Sequence, residues 1–277
     1  DCLLSRGLGD VYKRQLYNTV DSLIVGNFLG SSALAAVSSS GSLIFMLIGF
    51  LSGISAGAGV IVARFFGAGD EKNLQRAVHT TVAFGLVAGV LMTGVGVALS
   101  PQILRWMDTP ESVMRESVTY LQIYFAGSLG FVMYNVLVGI LQAVGDSRHP
   151  LYYLIVSSVI NLVLDLLFIT GFHTGVGGAA VATVISQIVS ALLCFWQLLR
   201  TKESYGLKIR KIRFDKGILV QIIKIGLPSG VQNSIIAFAN VIVQSNINAF
   251  GEMAMAGYGA YTKVCLLYTS PSPRDKR

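Results

Sequence analysis

An all-α membrane protein is the fold class this sequence predicts: a six-helix lobe followed by the first helix of a second, repeat-related lobe. Three observations carry that expectation. Apolar runs long enough to cross a bilayer recur along the chain, no segment alternates with the period of a barrel strand, and basic residues gather in every second loop. Apolar residues make up 53% of the chain and charged residues 13%, a membrane-like composition.

The two ends are set aside before the spans are read. Residues 5–15 have a set of codons whose reverse complement, read in one frame, spells residues 265–274 and begins an acidic codon. Protein segments have no physical reason to be related in that way. Residues 1–15 and 265–277 are therefore read as translated sequencing adaptor, and residues 16–264 as the native stretch, cut at both ends. Without the adaptor, 21 basic and 14 acidic residues become 15 and 11, and the net charge falls from +7 to +4. A nucleic-acid partner loses its main support. Cys194 is the one cysteine left, too few for a disulfide framework or a cysteine metal site.

A helix crossing the hydrocarbon core needs about 20 apolar residues. In order, the expected spans are 16–30 (lacking its first part), 37–65, 74–99, 118–144, 151–171, 176–199 and 218–250. Closed helices are the backbone solution that lipid allows, because each satisfies its own polar groups. Gly49, Gly53 and Gly57 in span two, and Gly85 and Gly89 in span three, recur every four residues, a spacing that permits close helix approach. Pro228 removes a backbone hydrogen bond near the start of span seven. Residues 101–117 read as an interfacial connection on the non-cytoplasmic side.

Loop charge sets the orientation. The loops after spans two, four and six hold Arg64, Lys72, Arg76, Arg148, Arg200, Lys202, Lys208, Arg210, Lys211, Arg213 and Lys216, eleven cations against Arg105, Arg115 and Lys263 on the other side. Loops 66–73, 145–150 and 200–217 are thus expected in the cytoplasm, with the protein multi-pass in a bacterial plasma membrane. His79, near the cytoplasmic start of span three, reads as an interfacial histidine rather than a proton relay.

Within span five, Asp165 is the sole charge. A carboxylate near the bilayer centre costs about 2.5–3.5 kcal/mol on insertion scales, and such residues usually face a bundle interior where ions or substrates pass. Asn161 and Ser158 share its helix face. Asp21 occupies a similar setting in span one. Two acids in low dielectric cannot both stay ionised without a counter-charge. Gly57-Ala58-Gly59 and Gly67-Ala68-Gly69-Asp70 are not followed by Gly-Lys-Ser/Thr, so an ATP-driven pump has no support.

A faint repeat joins the two ends of the native stretch: residues 29–36 (LGSSALAA) resemble residues 250–257 (FGEMAMAG), each after a long apolar helix. Span seven would then open a second copy of the first six, with residues 201–217 as the cytoplasmic linker, residues 16–200 as the first lobe and 218–264 as the start of the second.

These segments resemble the multidrug and toxic compound extrusion (MATE) family. The likeness is carried by LYNTVDSLIVGNFLGSSALAAVS, GISAGAGVIVARFFGAGD, LQAVGDSRHP, NLVLDLLF and GGAAVATVISQ, in that order, and it covers residues 16–264. The resemblance implies twelve helices in two lobes, of which this chain carries the first lobe and the start of the second. It implies a secondary antiporter, not an enzyme, which exports amphipathic, often cationic drugs or metabolites against H⁺ or Na⁺ and uses no cofactor. In the branch that couples through the amino-terminal lobe, the cation site would fall on Asp21, Asn161, Asp165 and Thr183. Neutral oxygens on Asn161 and Thr183 suit a hard cation such as Na⁺, and no other metal is implied. Tyr120, Asn135 and Gln187 would line the adjoining cavity. The glutamate that another branch places on helix seven has no counterpart in residues 235–238 (IIAF). Two other readings stand beside this one: a flippase of lipid-linked sugars, disfavoured because the spans hold almost no basic residues, and an intramembrane aspartyl protease, disfavoured because neither acid sits in a YD or GxGD motif.

Overall fold

In the computed structural model the backbone is described for residues 2–269, and side chains for residues 26–265 except Ser42, Phe45, Ile236 and Lys263. Eight α-helices and no strand occupy the described residues: α1 (Cys2–Gly67), α2 (Glu71–Trp106), α3 (Glu111–Ala126), α4 (Ser128–Ala143), α5 (Arg148–Leu166), α6 (Gly175–Arg200), α7 (Lys216–Asn248) and α8 (Glu252–Thr269). Five stretches are long and apolar enough to span a membrane, or six if the bent pair α3 and α4 counts as one. Expected span one precedes Gly30 in α1, and its side chains, Asp21 included, lie outside the described residues.

Three expectations are corrected in detail. Spans one and two are separated by a kink at Gly30 (φ 86°, ψ −174°), with no loop between them. That φ favours glycine, which has no Cβ to clash. Span four is broken at Gly127, where α3 and α4 meet at 49°. Hydropathy runs unbroken across this point; Gly127 packs closely on α6, where an added Cβ would lie 2.3 Å from Val184. The region 101–117 is not a continuous connection. Helix α2 continues through Pro101 to Trp106, and the turn is confined to four residues ending at Pro110, ahead of α3.

The exterior is apolar, as lipid requires. On α5, Ile155, Val156, Val159, Val163 and Leu166 face outward, while Leu154, Ser157, Asn161 and Asp165 form the buried stripe. A soluble helix would reverse that arrangement. Inside, Ile61, Leu74, Leu137, Ile140 and Leu198 fill the half near the basic loops. Val37, Ile44, Leu104, Leu121 and Ile169 fill the other.

Helix α7 lies antiparallel along the part of α1 that follows Gly30. Their axes approach closely where Gly53 and Gly57 oppose Gly230 and Gly226. A Cβ on Gly53 would fall 2.2 Å from the Gly230 nitrogen, and one on Gly57 2.4 Å from that of Gly226. The spacing expected to allow close packing does so. Added Cβ atoms on Gly85 and Gly89 would likewise press on Val136 and Leu129 of α4.

Beyond the glycine seam, α7 ends in buried amides. The Asn248 Nδ2 donates to the Met107 carbonyl at 2.9 Å and to the Ser39 hydroxyl at 3.3 Å, and Gln244 Nε2 donates to Asn248 Oδ1 at 2.9 Å. Next to this network the two halves of the proposed repeat meet. Gly251 has φ 90°, matching Gly30, and Ala35 and Ala36 pack on Met255 and Ala256.

At the opposite end the basic loops gather. Gln75 donates to the carbonyls of Ser204 and Gly206, and Tyr153 on α5 to Gln197 on α6. His79, read as an interfacial histidine, is buried there beneath the linker. Its Nδ1 donates to the Gln75 carbonyl at 2.6 Å, and its Nε2 lies 3.1 Å from both the backbone nitrogen and the carbonyl oxygen of Lys208. Asp215 caps α7 through Gly217 and Ile218. Asp70 caps α2 by accepting the backbone and side-chain N–H groups of Asn73, which hold its carboxyl below its ordinary value. That cap is complete above the usual carboxylate range and is lost as pH falls through the lowered value.

Gly57→Leu drives a side chain into the α7 backbone. The change is expected to destabilise the protein by about 1–3 kcal/mol, read as a lowered Tm in detergent. Gly94→Leu is the control, since nothing lies within 4 Å of a Cβ added there; its Tm is expected to hold or rise.

Candidate cation and substrate site

Asp165 is completely buried. The helix that carries it would bury a hydrophobe there if packing alone were served. One turn earlier Asn161 is 1% exposed, and its Nδ2 lies 3.5 Å from Thr183 Oγ1 on α6. Thr183 donates its own proton to the Ala179 carbonyl at 3.0 Å. The hydroxyl lone pairs therefore point toward α5. Of the four residues expected to bind a cation, Asn161 and Thr183 are in direct contact and Asp165 shares their buried face; Asp21 lies outside the described side chains.

The remaining expected residues lie on α3, α4 and α6. Tyr120 is buried on α3 in the apolar cluster that also holds Ile169, Val176 and Ala179. Asn135 on α4 is half-buried, with its Nδ2 on the Phe131 carbonyl at 2.8 Å. Gln187, one turn beyond Thr183, has a buried Oε1 that accepts no hydrogen bond. A buried unsatisfied carbonyl oxygen is costly and marks a place where a donor or water belongs.

One polar neighbour differs from the sequence expectation. Ser157, not Ser158, is the fully buried serine of α5, and Ser158 is half-buried with its hydroxyl on the Leu154 carbonyl at 2.7 Å. The residues 157, 161 and 165 recur every four positions, which is the signal that would have found it. Ser186 and Ser190 continue the polar stripe on α6, bonded to Thr183 and Ser186 carbonyls. Also unforeseen is the π-helical turn Leu167–Gly171 directly after the Asp165 turn, closed by Phe172 N–H on the Leu167 carbonyl at 3.0 Å. Such turns widen the helix, re-aim the side chains beside them and are frequent at functional sites.

Chemically, the group offers one carboxyl, one carboxamide oxygen and one hydroxyl oxygen in a setting shielded from lipid. A carboxylate there needs a proton, a hard cation or donors to balance it. Among the described residues no cluster of histidine, cysteine and acid suits a transition metal.

Comparison with known proteins gives a consistent picture. A family model described as MatE matches residues 14–167. The probable multidrug resistance protein YoeA of Bacillus subtilis is 34% identical over 260 residues, which are 91% of this chain and 56% of that protein. YpnP, a probable multidrug resistance protein of the same organism, is 30% identical over 92% of this chain and 57% of its own length. The chain spans about half the length of these relatives. A solved structure described as the inward-facing conformation of a multidrug resistance MATE family transporter superimposes with a TM-score of 0.84 at 28% identity, over 91% of this chain and 57% of that one.

The Asn161–Thr183 contact makes a direct prediction. Asn161→Leu and Thr183→Val each remove the same bond. In unfolding experiments their effects should therefore be sub-additive, with a coupling of about 0.6–1.7 kcal/mol. Strictly additive losses would show that the two side chains do not interact.

Proposed function

This chain belongs to the MatE family of multi-pass membrane transporters and is not an enzyme, and from that premise we propose that it forms part of a cation-coupled antiporter that exports amphipathic, cationic drugs or metabolites. One observation carries the reading: Asp165 is wholly buried in a helix whose other face is apolar and exposed, on the same face as the Asn161–Thr183 contact.

Facing outward, Asp165, with Asp21 on the first helix, takes up H⁺ or Na⁺. Either ion neutralises the carboxyl, and Na⁺ draws in the oxygens of Asn161 and Thr183. Neutralisation removes the charge that holds a cationic substrate in the cavity bordered by Tyr120, Asn135 and Gln187, and release follows. Return to the inward-facing state lets the ion leave to the cytoplasm. The two lobes rock about the site, so the α1–α7 seam, glycine-packed at one end and amide-bonded at the other, is where relative motion is taken up. The basic loops put residues 66–73, 145–150 and 200–217 in the cytoplasm of a bacterial cell.

Two features support the substrate class. The relatives carry the words multidrug resistance in their names. A carboxyl at Asp165 together with the aromatic Tyr120 and the amides Asn135 and Gln187 is the chemistry that would recognise an organic cation.

Asp165→Asn preserves shape and removes the titratable charge. In everted vesicles bearing the complete protein, the variant is expected to accumulate at normal levels yet lose ion-gradient-driven transport of a cationic dye such as ethidium, by at least about 100-fold. Normal transport by this variant would sink the mechanism. Collapsing the H⁺ and Na⁺ gradients separately identifies the ion.

A further inference from the structure

The segment between α6 and α7 is pinned, not loose. Leu207 is buried, and its N–H bonds to the Leu198 carbonyl at 2.8 Å. His79 Nε2 lies within hydrogen-bond distance of the Lys208 backbone, and Thr80 Oγ1 accepts the Asp215 N–H at 3.1 Å. Between these anchors a 3₁₀ turn (Ile209–Lys211) is closed by Lys211 N–H on the Lys208 carbonyl at 2.8 Å. Ile212 packs inward on the core. Every other side chain of residues 208–214 is thereby held outward.

What it presents is specific in composition: Lys208, Arg210, Lys211 and Arg213, with Ile209 59% and Phe214 46% exposed among them. No acid lies between Ser204 and Phe214; Asp215 is engaged by the α7 cap and stands 3.8 Å from Arg76. Two exposed hydrophobes beside four cations make poor sense facing water. They fit a surface that is anionic at the level of the charges and apolar just beneath. The height is right for one. The segment joins the ends of two membrane-crossing helices, and Trp196, one turn inside α6, lies half-exposed under the Arg200 guanidinium at 5.1 Å from its ring. An exposed tryptophan at that level marks the headgroup boundary.

We propose that residues 208–214 form a strap that binds the headgroups of anionic phospholipids, with Ile209 and Phe214 inserted among the acyl chains. Cations held near an anionic leaflet gain attraction that falls off within a Debye length. Because α2 holds the strap through His79 at Lys208 and Thr80 at Arg213, bound lipid braces the connection between the lobes. The proposal rests on α6 and α7 crossing the membrane, and on neither the coupling ion nor the exported compound.

The test uses the complete protein on a cysteine-free background with Ile209→Cys carrying a bimane fluorophore, in vesicles of phosphatidylcholine and phosphatidylglycerol. A nitroxide quencher is placed on the acyl chains of one lipid or the other at equal mole fraction. Chain-labelled phosphatidylglycerol is expected to quench at least about threefold more than phosphatidylcholine at low ionic strength. The preference should fall to parity in 1 M salt, and in the combined Lys208→Gln, Arg210→Gln, Lys211→Gln, Arg213→Gln variant. Lys208→Arg with Lys211→Arg should keep it. Equal quenching by both lipids on the unmodified strap, quenching by neither, or a preference that survives 1 M salt would each overturn the proposal. The salt titration needs no charge variant, so the result stands if the quadruple variant fails to fold. Because the readout is quenching, loss of the transport mechanism at Asp165 would leave it unchanged.

Discussion

The structure turns on one constraint: a carboxyl placed in a lipid-facing helix must be turned inward and supplied with polar company. Asp165 meets both conditions, through full burial and through Asn161 and Thr183 on the same interior face. That requirement fixes the rotation of α5. With Asp165 inward, Ile155, Val159 and Val163 are driven to the lipid side. It also sets the pairing of α5 with α6, since Thr183 must meet Asn161. The π-helical turn that follows, and the break at Gly127 where Val184 packs on the junction of α3 and α4, are local features beside the same packing.

The other organising feature is the way α7 is joined to the helices before it. Two arrangements share the length of one helix pair. Glycines at 53, 57, 226 and 230 bring backbones together without side chains between them, and buried amides at 244 and 248 tie α7 to the turn after α2. The glycine contact is apolar and non-directional and tolerates sliding; the amide network is directional and breaks as a unit. A helix pair built this way is held firmly at one end and yields more readily at the other. On the side of the basic loops, the strap adds a third tie through His79 and Thr80.

Much of this is legible in hydropathy and charge alone. The span order, the location of the strap, the close packing at Gly53 and Gly57, and the inward face of Asp165 and Asn161 follow from periodicity and the cost of burying charge. What stays hidden is set by partners distant in sequence. The break in span four falls at Gly127, which packs on Val184 of α6, a contact that no local pattern records. His79 is buried because Lys208, 129 residues further along the chain, folds over it. The Gly226-x-x-x-Gly230 spacing is present in the sequence, as are Gln244 and Asn248 at i and i+4, but their meaning depends on which helix lies opposite. Asp21 is legible as a candidate and lies outside the described side chains.

The proposed mechanism centres on the exchange of a proton or a hard cation by the buried Asp165 carboxyl. Infrared difference spectroscopy on the complete protein in membranes, with ¹³C-carboxyl aspartate to assign the band, reads that directly. The predicted result is a protonated-carboxyl band that disappears on raising pH or adding Na⁺, and that is missing when Asp165 is replaced by asparagine. A spectrum in which neither pH nor Na⁺ alters an Asp165-dependent carboxyl band would contradict it.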